Sequence, residues 1–596
     1  MAKNPARAAR PKFDPRAYEA QLIPLLREVA ALPEPDAASL QQVLRKLPKD
    51  GCGFFSRSDL IAGFRHFQGS TDFGIDEREL LRRLKRKPVR TQSGVTPVTV
   101  LTKPFPCPGQ CIFCPSDARM PKSYLRDEPG AQRATLNKFD PFLQVWNRLS
   151  AFYQLGHPVD KVELIVLGGT WSSYPEAYQR WFILRCFDAL NEFVATAVEG
   201  TGERRASVEA GMDFLDLDEG VEGSGASRSY NEVVKDHLKR GLQGSLLAEV
   251  EDAPWQLLEV AQEKNESSAC RSVGLVLETR PDCVDEEEVV RLRRLGATKV
   301  QLGIQTLSDE VLIKNKRGHD SEATRRAIGL LRRAGFKIHA HWMPNLFGAT
   351  CEGDRQDFRR LFAEAPYRPD ELKIYPCSLI ETSELMQVYE AGQWVPYGHE
   401  ELVDLLADCL AHTPEYCRLT RVVRDIPSTD IVDGNKVTNL REVVEAELKN
   451  RGQACRDIRS REIRGASFDV STLERQALEF ETEVSRETFL QMVTPDDQLV
   501  GFLRLCLPVA PSFIDELGQS ALIREVHVYG VSAELGERDE SKAQHLGVGQ
   551  QLVEWAAQLA TQAGYEEMAV ISAIGTRGYY RKLGFKDGVL YQHRAL

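Results

Sequence analysis

The residues in this chain best placed to do chemistry are Cys107, Cys111 and Cys114, in the stretch CPGQCIFC just past an apolar, strand-like run. A C-x3-C-x2-C spacing on one loop lets three thiolates reach one inorganic centre, and Pro108 and Gly109 permit the sharp backbone path. A structural zinc is closed by four ligands. None follows nearby, since the next histidine is His157 and the next cysteine is Cys186. A 4Fe-4S cluster held by three thiolates leaves one iron open for a substrate or cofactor, and the spacing predicts that arrangement.

A second constellation lies near the carboxyl end. Gln544, Gly547, Val548, Gly549 and Gln550, in QHLGVGQ, open an amphipathic helical pattern. Glycines at a helix start expose backbone N–H groups to an anion, which the helix dipole favours. Downstream, GYYRKLGF places Tyr579 and Tyr580 on a short helix, where a phenol could protonate a departing thiolate or only pack. Cys377 and Cys455 raise a small second metal site, but two ligands without nearby partners define none. Most other cysteines, including Cys186, Cys409 and Cys506, read as small buried hydrophobes.

The elements that must position these residues alternate. From about residue 81 to 377, six apolar strand-like segments (VTPVTVLTKPF, KVELIVLGG, SVGLVLETR, KVQLGIQT, KIHAHWMPN and ELKIYPC) are separated by helical ones. Strand-helix alternation predicts a parallel sheet with helical crossovers, and six units suit a partial (β/α)6 barrel in an α/β fold. Gly168, Gly169 and Thr170, then Glu278 and Arg280, then Gln305, fall at carboxyl ends of successive strands, where such barrels open their active sites. Residues 1–80 read as a small helical region and 378–465 as a mostly helical linker, leaving 466–596 as an α+β domain. Residues 197–254 are acidic, rich in Gly and Ser and without clear period, which predicts a partly disordered surface insertion.

At 596 residues the chain needs several cores. No apolar run is long enough to span a bilayer, and the start, MAKNPARAARPKF, lacks the apolar core of a signal peptide. Thirteen scattered cysteines, an odd number, favour reduced thiols and a cytoplasmic location over a disulfide framework. The net charge of −11 is uneven: residues 1–90 carry 18 Lys and Arg against 11 Asp and Glu, +7, leaving −18 elsewhere. Arg82, Arg83, Lys85, Arg86, Lys87 and Arg90 form a basic run suited either to phosphates or to a solvated helix face.

The cysteine spacing, together with LGGT, LETRPD and LGIQT, resembles the radical S-adenosylmethionine (SAM) superfamily. The loop QHLGVG resembles the pyrophosphate loop of the GNAT acetyltransferase fold, which binds coenzyme A. Fused, the two resemble one family, the catalytic subunit of Elongator and its bacterial and archaeal relatives. The likeness runs from Lys85 to the end and includes KPVRTQSG, GHPVDKVELIVLGGTW, RGH, GFKIHAHWMPNL, RPDELKIYP, RDIPS, CRDIRSREI, REVHVYG and GTRGYYRKLGF. The cysteine spacing is the generic one of the superfamily, shorter than in the eukaryotic subunit, and the acidic insertion is unusual.

That resemblance implies a tRNA-modifying acyltransferase that installs a carboxymethyl group on carbon 5 of the wobble uridine, with acetyl-CoA supplying two carbons. Cys107, Cys111 and Cys114 would hold the cluster, with Gly168, Gly169, Thr170, Glu278, Arg280 and Gln305 about SAM. Lys161, the segment Glu525, Val526, His527 and Val528, the loop with Gln544, Gly547, Val548, Gly549 and Gln550, and Tyr579 and Tyr580 would meet acetyl-CoA, with Lys161 and Tyr580 nearest the chemistry. The tRNA anticodon stem-loop would lie on the basic run with Lys122, Tyr124 and Arg133. An electron donor is required, a membrane is not, accessory Elongator subunits are not assumed, and a homodimer stays open. A competing reading is a protein lysine acetyltransferase whose iron-sulfur domain is only structural.

Overall fold

The computed structural model describes residues 13–32, 37–49, 53–84, 94–193, 229–244, 251–464, 466, 468–529 and 547–596. They fall into two compact units, one drawn from residues 1–91 and 147–159, the other from 92–146 and 160–596. The first unit is helical. Leu22, Leu25, Leu26 and Val29 line one face of the helix Glu19–Ala31 at 3.6-residue spacing and bury against Leu60, Phe64 and Leu80. The helix Arg57–Phe67 starts at a capping box in which Ser56 and Asp59 satisfy each other's backbone N–H groups.

In the second unit β1 (Thr96–Leu101), β2 (Lys161–Leu167), β3 (Arg271–Thr279), β4 (Lys299–Gln305), β5 (Lys337–Trp342) and β6 (Glu371–Ile374) pair in sequence order, all parallel. Each expected strand is present. The segment read as a helical linker contributes more than helices. After β7 (Leu379–Ile380), β8 (Arg418–Arg421) adds a seventh parallel strand beside β6, and β9 (Ile431–Asp433) pairs antiparallel with β7. RLTR is too short and too charged to read as a strand, and only pairing with β6 makes it one.

The second sheet comprises β10 (Glu474–Glu481), β11 (Ser485–Val493), β12 (Leu499–Pro508), β13 (Ala521–Val528), β14 (Glu567–Val570), β15 (Lys586–Asp587) and β16 (Gln592–Ala595), in the order β10-β11-β12-β13-β14-β16-β15. β10 to β13 form an antiparallel meander. β13 then runs parallel to β14, but only from Ala521 to Ile523. Among the described residues, Arg524–Val528 therefore has no ladder partner on that side, and the two strands part. The helix Val548–Gln562 packs Val548, Leu552, Val553 and Ala556 on this sheet. Gly501 permits that approach, since a Cβ there would lie 3.1 Å from Val548 and 3.4 Å from Leu552.

Both sheets belong to one unit, and ion pairs join them. A register shift between Arg504 and Leu505 turns Arg524 out of the ladder. Its fully buried guanidinium reaches Asp370, at 2.5 Å and 2.8 Å, and Glu487, at 3.1 Å. Asp370 directly precedes β6, so the first sheet supplies the countercharge for the bend in the second.

Candidate active site

The cysteine loop follows β1 and sits at the carboxyl ends of the parallel strands. Cys111 is buried beside two guanidiniums: Arg317 Nη1 donates to its Sγ at 3.2 Å, and Arg280 Nη1 lies 3.9 Å away. A hydrogen bond from Cys114, followed by the charges of Arg317 and Arg280, holds the Cys111 thiol well below its usual pKa, while the same pairing and burial push Cys114 up. Gly109 is required here, because a Cβ would fall 2.0 Å from Arg280 Nη1. Cys107 Sγ turns instead toward Thr170 Oγ1, 3.9 Å away. Among the described residues no three His, Cys, Asp or Glu side chains stand in metal-ligating geometry, these cysteines included.

The donor set nonetheless fits a 4Fe-4S cluster with SAM. Three thiols share one loop, and two guanidiniums offset the negative sulfurs. Beside them Gly168 (φ 128°) and Gly169 (φ 92°) adopt backbone closed to other residues, and a Cβ on Gly168 would strike Thr102 Oγ1 at 2.0 Å. Gln305 holds φ 67° at the end of β4, and among the described residues its buried Oε1 has no hydrogen-bond partner. Such strain with an orphaned acceptor suits a site that a ligand completes.

Two residues that sequence reasoning missed support the loop. Arg317, in the RGH stretch, also donates to Gly303 O at 2.5 Å. Asn231 accepts from Cys107 N at 2.9 Å and donates to Cys107 O at 2.8 Å. Asn231 lies in the segment expected to be a partly disordered insertion, yet 230–244 is a helix whose Tyr230 and Val234 pack against Ala118. Its signal, YNEVVKDHLK, is an apolar period hidden behind the acidic stretch; residues 194–228 and 245–250 lie outside the described residues.

Inside the barrel the neighbouring positions Glu278, Gln301, His339, Glu371 and Arg418 align across β3, β4, β5, β6 and β8. Parallel strands usually fill such a row with aliphatic side chains. Here Lys373 Nζ donates to Gln301 Oε1 at 2.5 Å, and His341 Nε2 lies 3.0 Å from the same oxygen. Lower down, Lys299 pairs with Glu163 at 2.7 Å and Glu371 at 3.2 Å, and Lys337 bridges Glu371 to Glu525 of the second sheet. Burial lowers the Lys373 pKa to about 8. Burial raises Glu278, whose carboxylate accepts a long 3.3 Å bond from Tyr124 and lies 3.7 Å from His341 Nδ1.

At the opposite end of the barrel Lys161 begins β2, where burial lowers its pKa. Lys161 and Gly168 bracket the strand, so they stand about 23 Å apart at 3.3 Å per residue. Glu525 accepts from Arg504 Nε at 2.9 Å and from Lys337, while His527, on the part of β13 that has left β14, stacks on Phe502 and lies tilted against Tyr529. Gly547 caps the helix Val548–Gln562 with φ 73°. Gly547, Gln550, Gln551, Glu554 and Trp555 line a cavity of about 300 Å³ at its start. Tyr580 is buried, with its pKa pushed up by burial, and Tyr579 is raised to about 12. Gln544 lies outside the described residues.

The expected RNA contacts divide. Lys85, Arg86, Lys87 and Arg90 lie outside the described residues. Arg83 is a correction: its guanidinium holds Glu79 and the carbonyls of Val29, Ala30 and Leu32 at a helix end, so it is committed to the fold. Arg82 pairs with Glu79 at 2.7 Å from an exposed position. Lys122 donates to Ser116 at 2.9 Å. Arg133 is half-buried. Tyr124 faces the barrel mouth, under Arg424 and beside Glu278. Cys377 is buried among apolar residues, and Cys455 donates to Asp457 at 3.3 Å.

A parallel barrel with a three-cysteine loop at its carboxyl mouth, joined to a splayed α/β sheet, defines a radical SAM protein with an acetyltransferase-like second half. Residues 248–352 match the Radical SAM superfamily model, and 369–450 match the Radical_SAM C-terminal domain. A "tRNA uridine(34) acetyltransferase" of Dehalococcoides mccartyi is 37% identical over 84% of this chain and 97% of its own. Human "Elongator complex protein 3" is 33% identical over 85% of both chains. The solved structure of the Methanocaldococcus infernus protein with an N-terminal deletion superposes with a TM-score of 0.65 at 32% identity, covering 84% of this chain and 99% of that one. The chain belongs to the Elongator protein 3 family. A radical SAM domain implies a 4Fe-4S cluster and SAM.

Proposed function

We propose that this protein modifies the wobble uridine of tRNA, adding a carboxymethyl group to carbon 5 with carbon from acetyl-CoA. The observation that supports the reading is the pairing, in one compact unit, of a guanidinium-flanked cysteine loop at the carboxyl ends of the barrel strands with a second sheet that splays beyond Ile523 and carries a glycine-capped helix. Bound to the three cysteines, the cluster and SAM would supply a carbon-centred radical. Uridine carbon 5 has no leaving group, so radical addition avoids a polar step that the base resists.

Each group of side chains then has a task. Gly168, Gly169, Thr170, Glu278, Arg280 and Gln305 would seat SAM. Gly547 to Gln550, with Gln544, would hold the pyrophosphate, and Lys161, Glu525 to Val528, Tyr579 and Tyr580 would surround the thioester. Tyr580, protonated across the working pH range, can donate to the departing sulfur. The two-carbon unit has to travel the length of the barrel, past the buried polar row from Glu371 to Glu278. The uridine must leave its stack to reach the mouth, and Lys122, Tyr124, Arg133 and the basic run other than Arg83 would guide the anticodon stem-loop.

The test is mass spectrometry of anticodon nucleosides after anaerobic incubation of reconstituted protein with tRNA, acetyl-CoA, SAM and dithionite. Carboxymethyluridine is expected with the wild type and is lost with Cys111→Ser. An intact cluster with no modified nucleoside would overturn the proposal, and acetyl transfer to a peptide that survives Cys111→Ser would favour a lysine acetyltransferase.

A further inference from the structure

His527 occupies the one stretch of β13 that leaves its neighbour. Beyond Ile523 the strand no longer pairs with β14, so an acyl arm can enter beside Glu525, Val526, His527 and Val528. The imidazole is held between two rings, stacked on Phe502 at 5.8 Å and tilted by 43° against Tyr529 at 4.4 Å. Among the described residues neither ring nitrogen has a hydrogen-bond partner. The charged groups around it are committed elsewhere: Glu525 to Arg504 and Lys337, Glu163 to Lys299, and Arg418 to Glu462. Strand alternation sets His527 on the sheet face opposite Val526 and Val528, which pack against the core under the helix Val548–Gln562, so its ring stands beside the gap and can donate to a group that enters it.

We propose that His527 is a catalytic residue that donates a ring N–H to the carbonyl oxygen of the acyl thioester and holds the negative charge formed there during hydrolysis. This rests on the reading of the splay as the acyl-donor site. Water adds to the carbonyl carbon, and the C=O electron pair moves onto the oxygen that the imidazole holds. Collapse re-forms the carbonyl and breaks the C–S bond. The leaving thiolate takes a proton originating from the water, so thioester and water become carboxylic acid and free thiol. Burial lowers the imidazole pKa to about 4, with Glu525 opposing and Arg418 and Lys337 reinforcing. The ring is therefore neutral at working pH, which suits a donor aimed at developing charge and makes it a poor base.

The test is release of coenzyme A thiol from acetyl-CoA by the full chain with anticodon stem-loop RNA and no SAM, beside acetyl-CoA binding by calorimetry and a thermal melt. His527→Leu should melt normally, while kcat at saturating acetyl-CoA falls by about 10²-fold, the usual loss for one such donor. His527→Gln, which keeps an N–H but cannot act as a base, should recover at least tenfold of that loss. Equal kcat in Leu and Gln variants, or no fall in either, overturns the role of His527. Failure of the wild type to bind acetyl-CoA overturns the underlying site instead.

Discussion

Cys111 differs from the other buried cysteines by its neighbours. Cys186 and Cys409 sit in apolar surroundings that push their thiols up, whereas Arg317 and Arg280 stabilise a thiolate at Cys111. A lowered pKa makes the sulfur a metal ligand near neutrality, since the thiolate is the ligating form. Arg317→Met removes the closer charge and a hydrogen bond without changing the backbone. The pH midpoint for alkylation of Cys111 in the metal-free protein should move up by at least one unit, about tenfold less thiolate at neutral pH. Iodoacetamide labelling followed by peptide mass spectrometry measures it, and an unmoved midpoint would leave Arg317 with a packing role alone.

Among elements, the segment after β5 illustrates how a barrel rim is fastened. Asp354, in the first turn of the helix Cys351–Ala363, accepts from Asn345 N at 2.7 Å and Tyr397 Oη at 2.8 Å, on one carboxylate oxygen. Burial raises its pKa to about 7. Because the folded value exceeds the unfolded one, the native state keeps an extra proton between about pH 4 and 7. Stability from this group is complete below about pH 4 and is lost as pH rises through 7, by about 4 kcal/mol over three units. Asp354→Asn keeps the accepting oxygen and removes the titration. Thermal melts at pH 5 and pH 8 should show a smaller drop for the variant than for the wild type; equal drops would assign the pH dependence elsewhere.

For the whole molecule, the two sheets are not independent modules on a string. Arg524 and Arg504 are buried in the second sheet against Asp370, which directly precedes β6 of the barrel, and Arg332 of the barrel reaches Glu487 at 3.8 Å. Removing one partner of a buried pair costs about 3–5 kcal/mol, because the other charge stays desolvated. Without the barrel, Arg524 keeps Glu487 and Arg504 keeps Glu525, but both lose Asp370, and two such losses are comparable with a domain's entire stability. Residues 466–596 expressed alone should therefore lack a cooperative melt, read by near-ultraviolet circular dichroism with temperature. A sharp melt of a monomeric fragment would show that the countercharges are dispensable.

Much of this was readable along the chain. Six strands were visible because KVELIVLGG or KVQLGIQT each combine apolar β-branched residues with flanking turns, a local property. The cysteine loop was visible because its ligands are eight residues from first to last. Other features depend on tertiary contact. RLTR became β8 only because Glu371 lies opposite Arg418, Arg83 left the candidate RNA surface because a distant helix end needed its guanidinium, and Asn231 met Cys107 across 124 positions. The amino-acid sequence by itself determined which candidate motifs the chain carries, since spacing within a loop or helix start is set by covalent geometry. The tertiary structure alone decided that they lie at opposite ends of one barrel with a charged row between, because which strand end faces which partner is fixed by long-range packing and paired buried charge.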